Sequence, residues 1–297
     1  MMTRTRFAPA PTGFLHLGHV VNAIYVWGFA RAQGAQVLLR IEDHDAQRCR
    51  PVYERALLDD LEWLGFEPDI APAPAFRAGA SEFRQSDRAA IYRDVAGRWI
   101  ANGLVYGCTC TRHDLGELPA GADGEVRYPG TCRDRGLAPA DGLVWRMRID
   151  AGAERFDDIW RGPRVQDPAS QCGDVAIRDR LGNWTYQFVA SVDDHLQGID
   201  LVVRGEDLLA STGRQIRLAT SAGRARPARF GHHPLIMKSP ARKLSKSDGD
   251  TGVRDLRAAG WTAPRLIGEA AWRAGLADAP EPIHASEVGR FFAGTRG

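Results

Sequence analysis

The chain has 297 residues, 44% apolar and 26% charged, with 39 basic against 37 acidic side chains and a net charge of +2. This is the profile of a soluble globular protein with room for a main domain plus insertions or an appendage. No run of about 18 apolar residues occurs, so no membrane span is expected. Met1-Met2-Thr3-Arg4-Thr5-Arg6 has no apolar stretch behind it, so no secretory signal is expected either.

Residues 3–7 read as a short strand running into a Pro/Gly turn. From Gly18 to Gln33, Val21, Ile24, Tyr25 and Phe29 keep helical spacing, and Gly34 suits the helix end. Val37-Leu38-Leu39-Arg40-Ile41 reads as a buried strand, which completes a βαβ unit with a ligand loop between first strand and helix. A second helix starts near Pro51, carries Ala56, Leu57, Leu61 and Leu64 on one face, and stops at Gly65. Residues 67–82 read as a Pro/Ala-rich loop, and a third helix covers 87–102. Residues 116–142, rich in Gly, Pro and Asp, read as loops. Residues 143–190 read as strands, with a hairpin turning at Leu181-Gly182-Asn183. A strand at 199–203 and a helix at 207–222 return to the parallel sheet. The remainder reads as short helices broken by Pro264, Pro280 and Pro282, and there is no internal repeat.

Lysine use is the sharpest compositional signal. All three lysines, Lys238, Lys243 and Lys246, fall within nine residues, while the other 36 basic side chains are arginine. A lysine that persists under such bias is needed as a compact, mobile ammonium. Two of them sit in Lys243-Leu244-Ser245-Lys246-Ser247. Far upstream, His16-Leu17-Gly18-His19 opens the first long helix. A helix N-terminus offers free N–H groups and a positive dipole end, which suit phosphate. Imidazoles there can donate to phosphate oxygens as charge develops, and Gly13 and Gly18 let backbone approach a nucleotide. Taken alone, His16 and His19 could equally be surface residues at a helix start; the lysine loop favours an ATP site built from two ends of a Rossmann domain.

HLGH and KLSKS resemble the HIGH and KMSKS motifs of class I aminoacyl-tRNA synthetases. The glutamyl branch is the nearest likeness, through Arg40-Ile41-Glu42-Asp43-His44-Asp45, Asp60-Leu61-Glu62-Trp63-Leu64-Gly65, Gln85-Ser86, Tyr106-Gly107-Cys108-Thr109-Cys110-Thr111-Arg112 and Val202-Val203-Arg204-Gly205-Glu206-Asp207-Leu208-Leu209. The resemblance covers residues 4–250. It implies an α/β, Rossmann-type class I catalytic domain with a zinc-containing insertion and a short C-terminal helical segment. The expected divisions are 1–107 for the first Rossmann half, 108–190 for the insertion, 191–250 for the second half with the KLSKS loop, and 251–297 for the helical end.

The implied reaction joins glutamate to the α-phosphorus of ATP, with release of pyrophosphate, and then passes the acyl group to an RNA hydroxyl. Such chemistry is mainly positioning and charge stabilisation. The family assigns ATP and catalytic work to His16, Gly18, His19, Lys243 and Lys246, with a Mg²⁺ that travels with ATP. Free glutamate carries two carboxylates and one ammonium, so a selective site wants two cations and an anion. By resemblance Arg6, Arg204 and Glu42 fill those places, with Ala8, Ala10 and Tyr186 lining the pocket, and an Arg fork matches a carboxylate bidentately. Ala10 departs from the family serine, which removes one hydroxyl contact.

Five cysteines are too few and too odd in number for a disulfide framework, and suit a reducing cytoplasm. Cys108, Cys110 and Cys132 lie close enough in sequence to share a structural Zn²⁺ that needs one more ligand. His113 is the chemically ordinary fourth ligand; the resemblance points to Tyr128, whose phenol a nearby dication would help to ionise. Cys49 and Cys172 read as ordinary thiols.

Only 50 residues follow Ser247, so the large anticodon-binding domain of tRNA(Glu)-reading members is not expected. The chain is most similar to the short paralogues that activate glutamate without tRNA and transfer it to the queuosine base in the anticodon of tRNA(Asp). A cytoplasmic monomer is expected, with the Arg-rich segment 224–229 a candidate phosphate contact. The competing expectations are a minimal glutamyl-tRNA synthetase charging a tRNA 3′ end, an HxGH nucleotidyltransferase acting on a small molecule, and a non-catalytic RNA-binding paralogue.

Overall fold

The computed structural model describes residues 2–116, 126–239, 242–243 and 252–295. Strands β1 (Arg4–Phe7) and β2 (Gln36–Leu39) run parallel, with Thr5 opposite Val37 and Phe7 opposite Leu39, and helix α1 (Leu17–Ala32) crosses between them. The helix is apolar nearly all round: every residue from Val20 to Ala30 except Asn22 is buried. A helix of that kind belongs inside a core rather than on a surface. At its middle, Gly28 lets the Phe292 ring lie so close that a Cβ would fall 2.4 Å from it. This buried seat fixes the start of α1 beneath the ligand loop.

Helix α2 (Pro51–Leu64) starts with a proline, where no N–H is needed, and ends at Gly65 with φ of 80°. The expected loop at 67–82 contains a short helix, α3 (Ala73–Arg77), whose Ala73 and Phe76 are buried. A 3₁₀ turn at Gln85–Arg88 leads into α4 (Ala89–Ala101), so the expected third helix is two pieces. There follow β3 (Val105–Cys108), α5 (Arg112–Gly116), β4 (Val144–Met147), β5 (Glu154–Asp158), β6 (Gly162–Gln166), α6 (Pro168–Gln171) and β7 (Val175–Arg178).

The expected strand character does not continue to residue 190. The turn at 179–183 forms, with Asp179 N–H donating to Asn183 O at 2.8 Å, but the return is a single bridge between Arg178 and Trp184. Tyr186 then opens helix α7 (Tyr186–Leu196). Its aromatic and β-branched residues suggest strand, yet Phe188, Val189 and Val192 lie on one helical face and are fully buried with Tyr92 and Trp99. Tertiary packing overrides local preference here.

Strand β8 (Leu201–Gly205) is followed by a 3₁₀ segment, Glu206–Ser211, and α8 (Thr212–Ser221), then β9 (Arg229–His233), β10 (Met237–Ser239) and β11 (Arg242–Lys243). Strands β8 and β9 are parallel, and the hairpin β5–β6 extends them into a four-stranded sheet of order β6-β5-β9-β8. Strands β3, β4 and β7 form a separate antiparallel sheet. Helices α9 (Val253–Ala258) and α10 (Ala263–Arg273) and the 3₁₀ segment Ala285–Phe292 complete the described chain. Pro264 stands in the first turn of α10 and starts that helix rather than breaking one. Among the described residues no helix is long and apolar enough to cross a membrane.

Candidate active site

A cavity of about 750 Å³ opens where the end of β1, the start of α1 and the ends of β8 and β9 meet. Its wall includes Arg6, Ala8, Ala10, His16, Gly18 and His19, and, across the opening, Glu42, Tyr186 and Arg204. Residues separated by up to nearly 200 positions thus line one cavity. The side chain of Lys243 and all of Lys246 lie outside the described residues, and only the backbone of Lys243, in β11, is placed.

At the start of α1 the two histidines cap the helix reciprocally. The Gly18 N–H donates to His16 Nδ1 at 3.1 Å, and the His16 N–H donates to His19 Nδ1 at 3.1 Å. An Nδ1 that accepts must keep its lone pair, so the ring proton of each neutral imidazole sits on Nε2. Both rings are thereby set up as Nε2–H donors. Gly18 has a steric reason beyond nucleotide approach: a Cβ there would fall 2.9 Å from the His16 ring.

Beneath the histidines lies a buried ion network. Arg6 donates to Asp194 at 3.1 Å and to the Val203 carbonyl at 3.2 Å. Arg40, fully buried, donates to Asp194 at 2.8 Å, Glu42 at 2.9 Å and Gln197 at 3.1 Å. Burial works against the Asp194 carboxylate, but the Arg6 and Arg40 charges outweigh it and hold its pKa below the usual range. Burial and the Glu42 charge push the Tyr186 phenol above its ordinary value, so it remains a hydrogen-bond donor.

Arg204 differs. Its partners are His232 Nε2 at 3.0 Å, Gln215 Oε1 at 2.5 Å, Thr212 Oγ1 at 3.0 Å and the Leu208 carbonyl at 3.3 Å. None is a carboxylate, although the side chain is buried, and burial lowers its pKa. Of the three buried arginines, Arg6 and Arg40 touch carboxylates directly and Arg204 does not.

Sequence reasoning quoted Arg40 without giving it a role and missed Asp194, Gln215 and His232. The available signal for Arg40 was a charge inside the apolar strand Val37–Ile41; the others have no local signature. His233, also unassigned, lines the cavity, stacks on Tyr25 with centroids 4.6 Å apart, and contacts Asn22 of α1 at 3.1 Å. Burial lowers its pKa to about 4, so it is neutral at pH 7.

In the other candidate site, Cys108, Cys110 and Cys132 bring their sulfurs within 4.8 Å of one another. The Cys110–Cys132 separation is 3.8 Å, matching the edge of about 3.8 Å in a tetrahedron with Zn–S bonds near 2.3 Å. Tyr128 Oη lies 3.4 Å from Cys108 Sγ and accepts from the Cys132 N–H at 2.8 Å. His113 is exposed and not part of the cluster. Burial opposes the Cys132 thiolate, but hydrogen bonds from Thr109, Cys110 and Tyr128 outweigh it and bring its pKa to about 6. Buried Arg146 donates to Cys108 Sγ at 3.3 Å and lies 3.8 Å over the Tyr128 ring, and Arg135 reaches Cys132 Sγ at 3.8 Å. Three sulfurs, a phenol and two flanking cations suit a soft dication whose donors are anionic.

Residues 2–277 match the family of class I tRNA synthetases (E and Q), catalytic domain. The chain belongs to this family and is a ligase of the aminoacyl-tRNA synthetase type. It is 38% identical to the glutamyl-Q tRNA(Asp) synthetase of Symbiobacterium thermophilum, across 95% of this chain and 90% of that one. It is also 38% identical to glutamate–tRNA ligase 2 of Acidithiobacillus ferrooxidans, across 90% of this chain and 57% of that one. Among solved structures, the glutamate tRNA ligase of Elizabethkingia meningosepticum in complex with its amino acid superposes with a TM-score of 0.77 at 28% identity. That likeness covers 97% of this chain and 64% of that one.

Proposed function

We propose that this protein activates glutamate with ATP, without tRNA, and transfers it to the queuosine base in the anticodon of tRNA(Asp). The observation that carries the activation step is a cavity in which buried Arg204 touches no protein carboxylate, beside a pair of imidazole donors. Arg204 and Arg6 receive its carboxylates, Glu42 its ammonium, and Tyr186 donates from the pocket wall. Ala8 and Ala10 leave the wall apolar where they stand. His16 and His19 donate from Nε2 to ATP phosphates at the N-terminus of α1, as negative charge moves onto the departing pyrophosphate. A Mg²⁺ accompanies ATP.

Lys246 and Lys243 complete that charge stabilisation. The described chain resumes at Gly252, which bridges to His16, and Val253 N–H donates to Leu15 O at 2.8 Å. Cys108, Cys110, Cys132 and Tyr128 hold a zinc ion, which supplies a structural crosslink and no chemistry of the reaction.

The tRNA(Asp) assignment draws on the relatives that bear that name. The test is ATP–pyrophosphate exchange with glutamate alone, followed by transfer of labelled glutamate to queuosine-containing tRNA(Asp), the same tRNA lacking queuosine, and tRNA(Glu). Exchange without tRNA and label only on the first acceptor is the expected result. Label on tRNA(Glu) would establish a glutamyl-tRNA synthetase instead, and absence of exchange would leave an RNA-binding paralogue.

A further inference from the structure

Behind Arg204, outside the cavity wall, stand two residues that the reaction as described does not use. We propose that Asp158 and His232 form a positioning dyad that orients Arg204 toward a substrate carboxylate while keeping protein carboxylates off it. This rests on the glutamate reading above and concerns how the pocket keeps Arg204 clear of a direct protein carboxylate.

The orientation of each group follows from donor and acceptor counting. Arginine can only donate, so His232 Nε2, 3.0 Å from Arg204 Nε, must accept. The His232 proton is therefore on Nδ1, which donates to Asp158 Oδ2 at 2.5 Å. Asp158 is held in turn: its Oδ1 accepts from the backbone N–H groups of Trp160 at 3.1 Å, Arg161 at 2.9 Å and His232 at 3.3 Å. The His232 and Asp158 side chains are both fully buried. They come from adjacent strands, β5 and β9, which pair at Asp158 and Phe230. The hairpin β5–β6 thus reaches Arg204 through this chain of contacts.

The arrangement solves a specific problem. A carboxylate placed directly on Arg204 would form an internal ion pair and compete with the substrate. Without any anion nearby, a buried guanidinium is costly to maintain. Setting Asp158 one imidazole away gives indirect compensation and leaves the guanidinium without a protein carboxylate on it. Arg6, which binds Asp194 directly, shows the other arrangement in the same cavity.

Three variants test this. In Asp158→Asn the oxygen must stay on the three backbone donors, so the NH₂ faces His232 Nδ1. That moves the imidazole proton to Nε2, where it opposes the Arg204 donor. His232→Gln can accept from Arg204 and donate to Asp158, which preserves the polarity; His232→Phe cannot. Glutamate and ATP parameters from pyrophosphate exchange, and glutamate binding by calorimetry, are compared at one pH. Loss of one oriented charge-assisted contact predicts that Asp158→Asn and His232→Phe raise the glutamate KM and Kd about tenfold or more, with the ATP KM within about twofold. His232→Gln stays within about threefold of wild type for glutamate. Unchanged glutamate parameters in Asp158→Asn or His232→Phe would overturn the dyad. So would a parallel loss of ATP and glutamate affinity, which marks a merely structural role. If Asp158→Asn does not fold, the His232 pair decides alone. Wild-type protein that neither binds glutamate nor supports exchange would sink the glutamate reading itself and the dyad with it.

Discussion

In the substrate cavity, Arg204 is a buried cation among neutral acceptors, whereas in the cysteine cluster three sulfurs and the Tyr128 oxygen crowd together with Arg146 and Arg135 beside them. Both regions hold polar groups away from water. The occupant proposed for the cavity is an anion exchanged at each turnover, and that proposed for the cluster is a cation that stays. The cavity is correspondingly open and about 750 Å³ in volume, while Cys108, Cys132 and Tyr128 are buried. An unbalanced charge therefore points to a ligand, and its accessibility points to whether that ligand is exchanged.

The largest effect separating the two regions is expected on metal removal. Structural zinc sites contribute apparent binding energies on the order of 10 kcal/mol or more at neutral pH. Chelation of the purified protein, or Cys132→Ser, should lower the melting temperature further than any substitution discussed below, with about one zinc per chain lost by elemental analysis. A protein that carries no metal, with a melting curve indifferent to chelator, would reduce the cluster to three thiols and dissolve the comparison.

Arg40 and Arg204 sharpen it within the cavity. Arg40→Met strands Glu42 in the interior and leaves Asp194 with Arg6 alone, and removal of one partner from a buried pair costs about 3–5 kcal/mol. Arg204→Met strands no carboxylate, so its stability cost in urea unfolding should be smaller, about 1–2 kcal/mol for the acceptors left behind. Its activity cost should be the greater one: about 100-fold in the specificity constant for glutamate, the size expected for losing a buried charge-assisted contact. If Arg204→Met instead destabilised as much as Arg40→Met, Arg204 would be a structural cation like its neighbour.

The same contrast shows what was legible in the sequence. His16, His19, Arg6, Glu42 and Arg204 sit in short motifs whose chemistry can be weighed residue by residue, and the fold brings them to one cavity. Their partners were not legible. Asp194 meets Arg40 across 154 positions and His232 meets Asp158 across 74, and nothing local marks either pairing. Helix α7 was hidden for a related reason. Its aromatic and β-branched residues favour strands, and only the packing of Phe188 and Val192 against α4 makes them a helical face. In the cluster, chemistry left His113 and Tyr128 both open as partners of the cysteines. Geometry separates them, because His113 is exposed while Tyr128 touches Cys108.

Asp60 supplies a control for the rule that an unbalanced buried charge implies a ligand. It sits on α2, is buried, does not line the cavity, and its Oδ2 has no hydrogen-bond partner among the described residues. Burial raises its pKa to about 6, with Arg257 offsetting the shift in part. Below about pH 6 the imbalance is relieved by a proton instead of a ligand; at neutral pH the charge is carried at a cost to stability. Because the folded pKa lies above the unfolded value of about 3.9, the folded state binds that proton more tightly. The contribution to stability is fully present below about pH 4 and is lost as pH rises through 6. Asp60→Asn, which carries no charge to bury, should therefore be more stable than wild type at pH 7.5, by about 1–2 kcal/mol in urea unfolding. The advantage should shrink at pH 5 and vanish near pH 4, with exchange activity unchanged throughout. A variant less stable than wild type at pH 7.5 would mean that ionised Asp60 is compensated within the protein, and burial without a partner would then be no guide to which charges await a ligand.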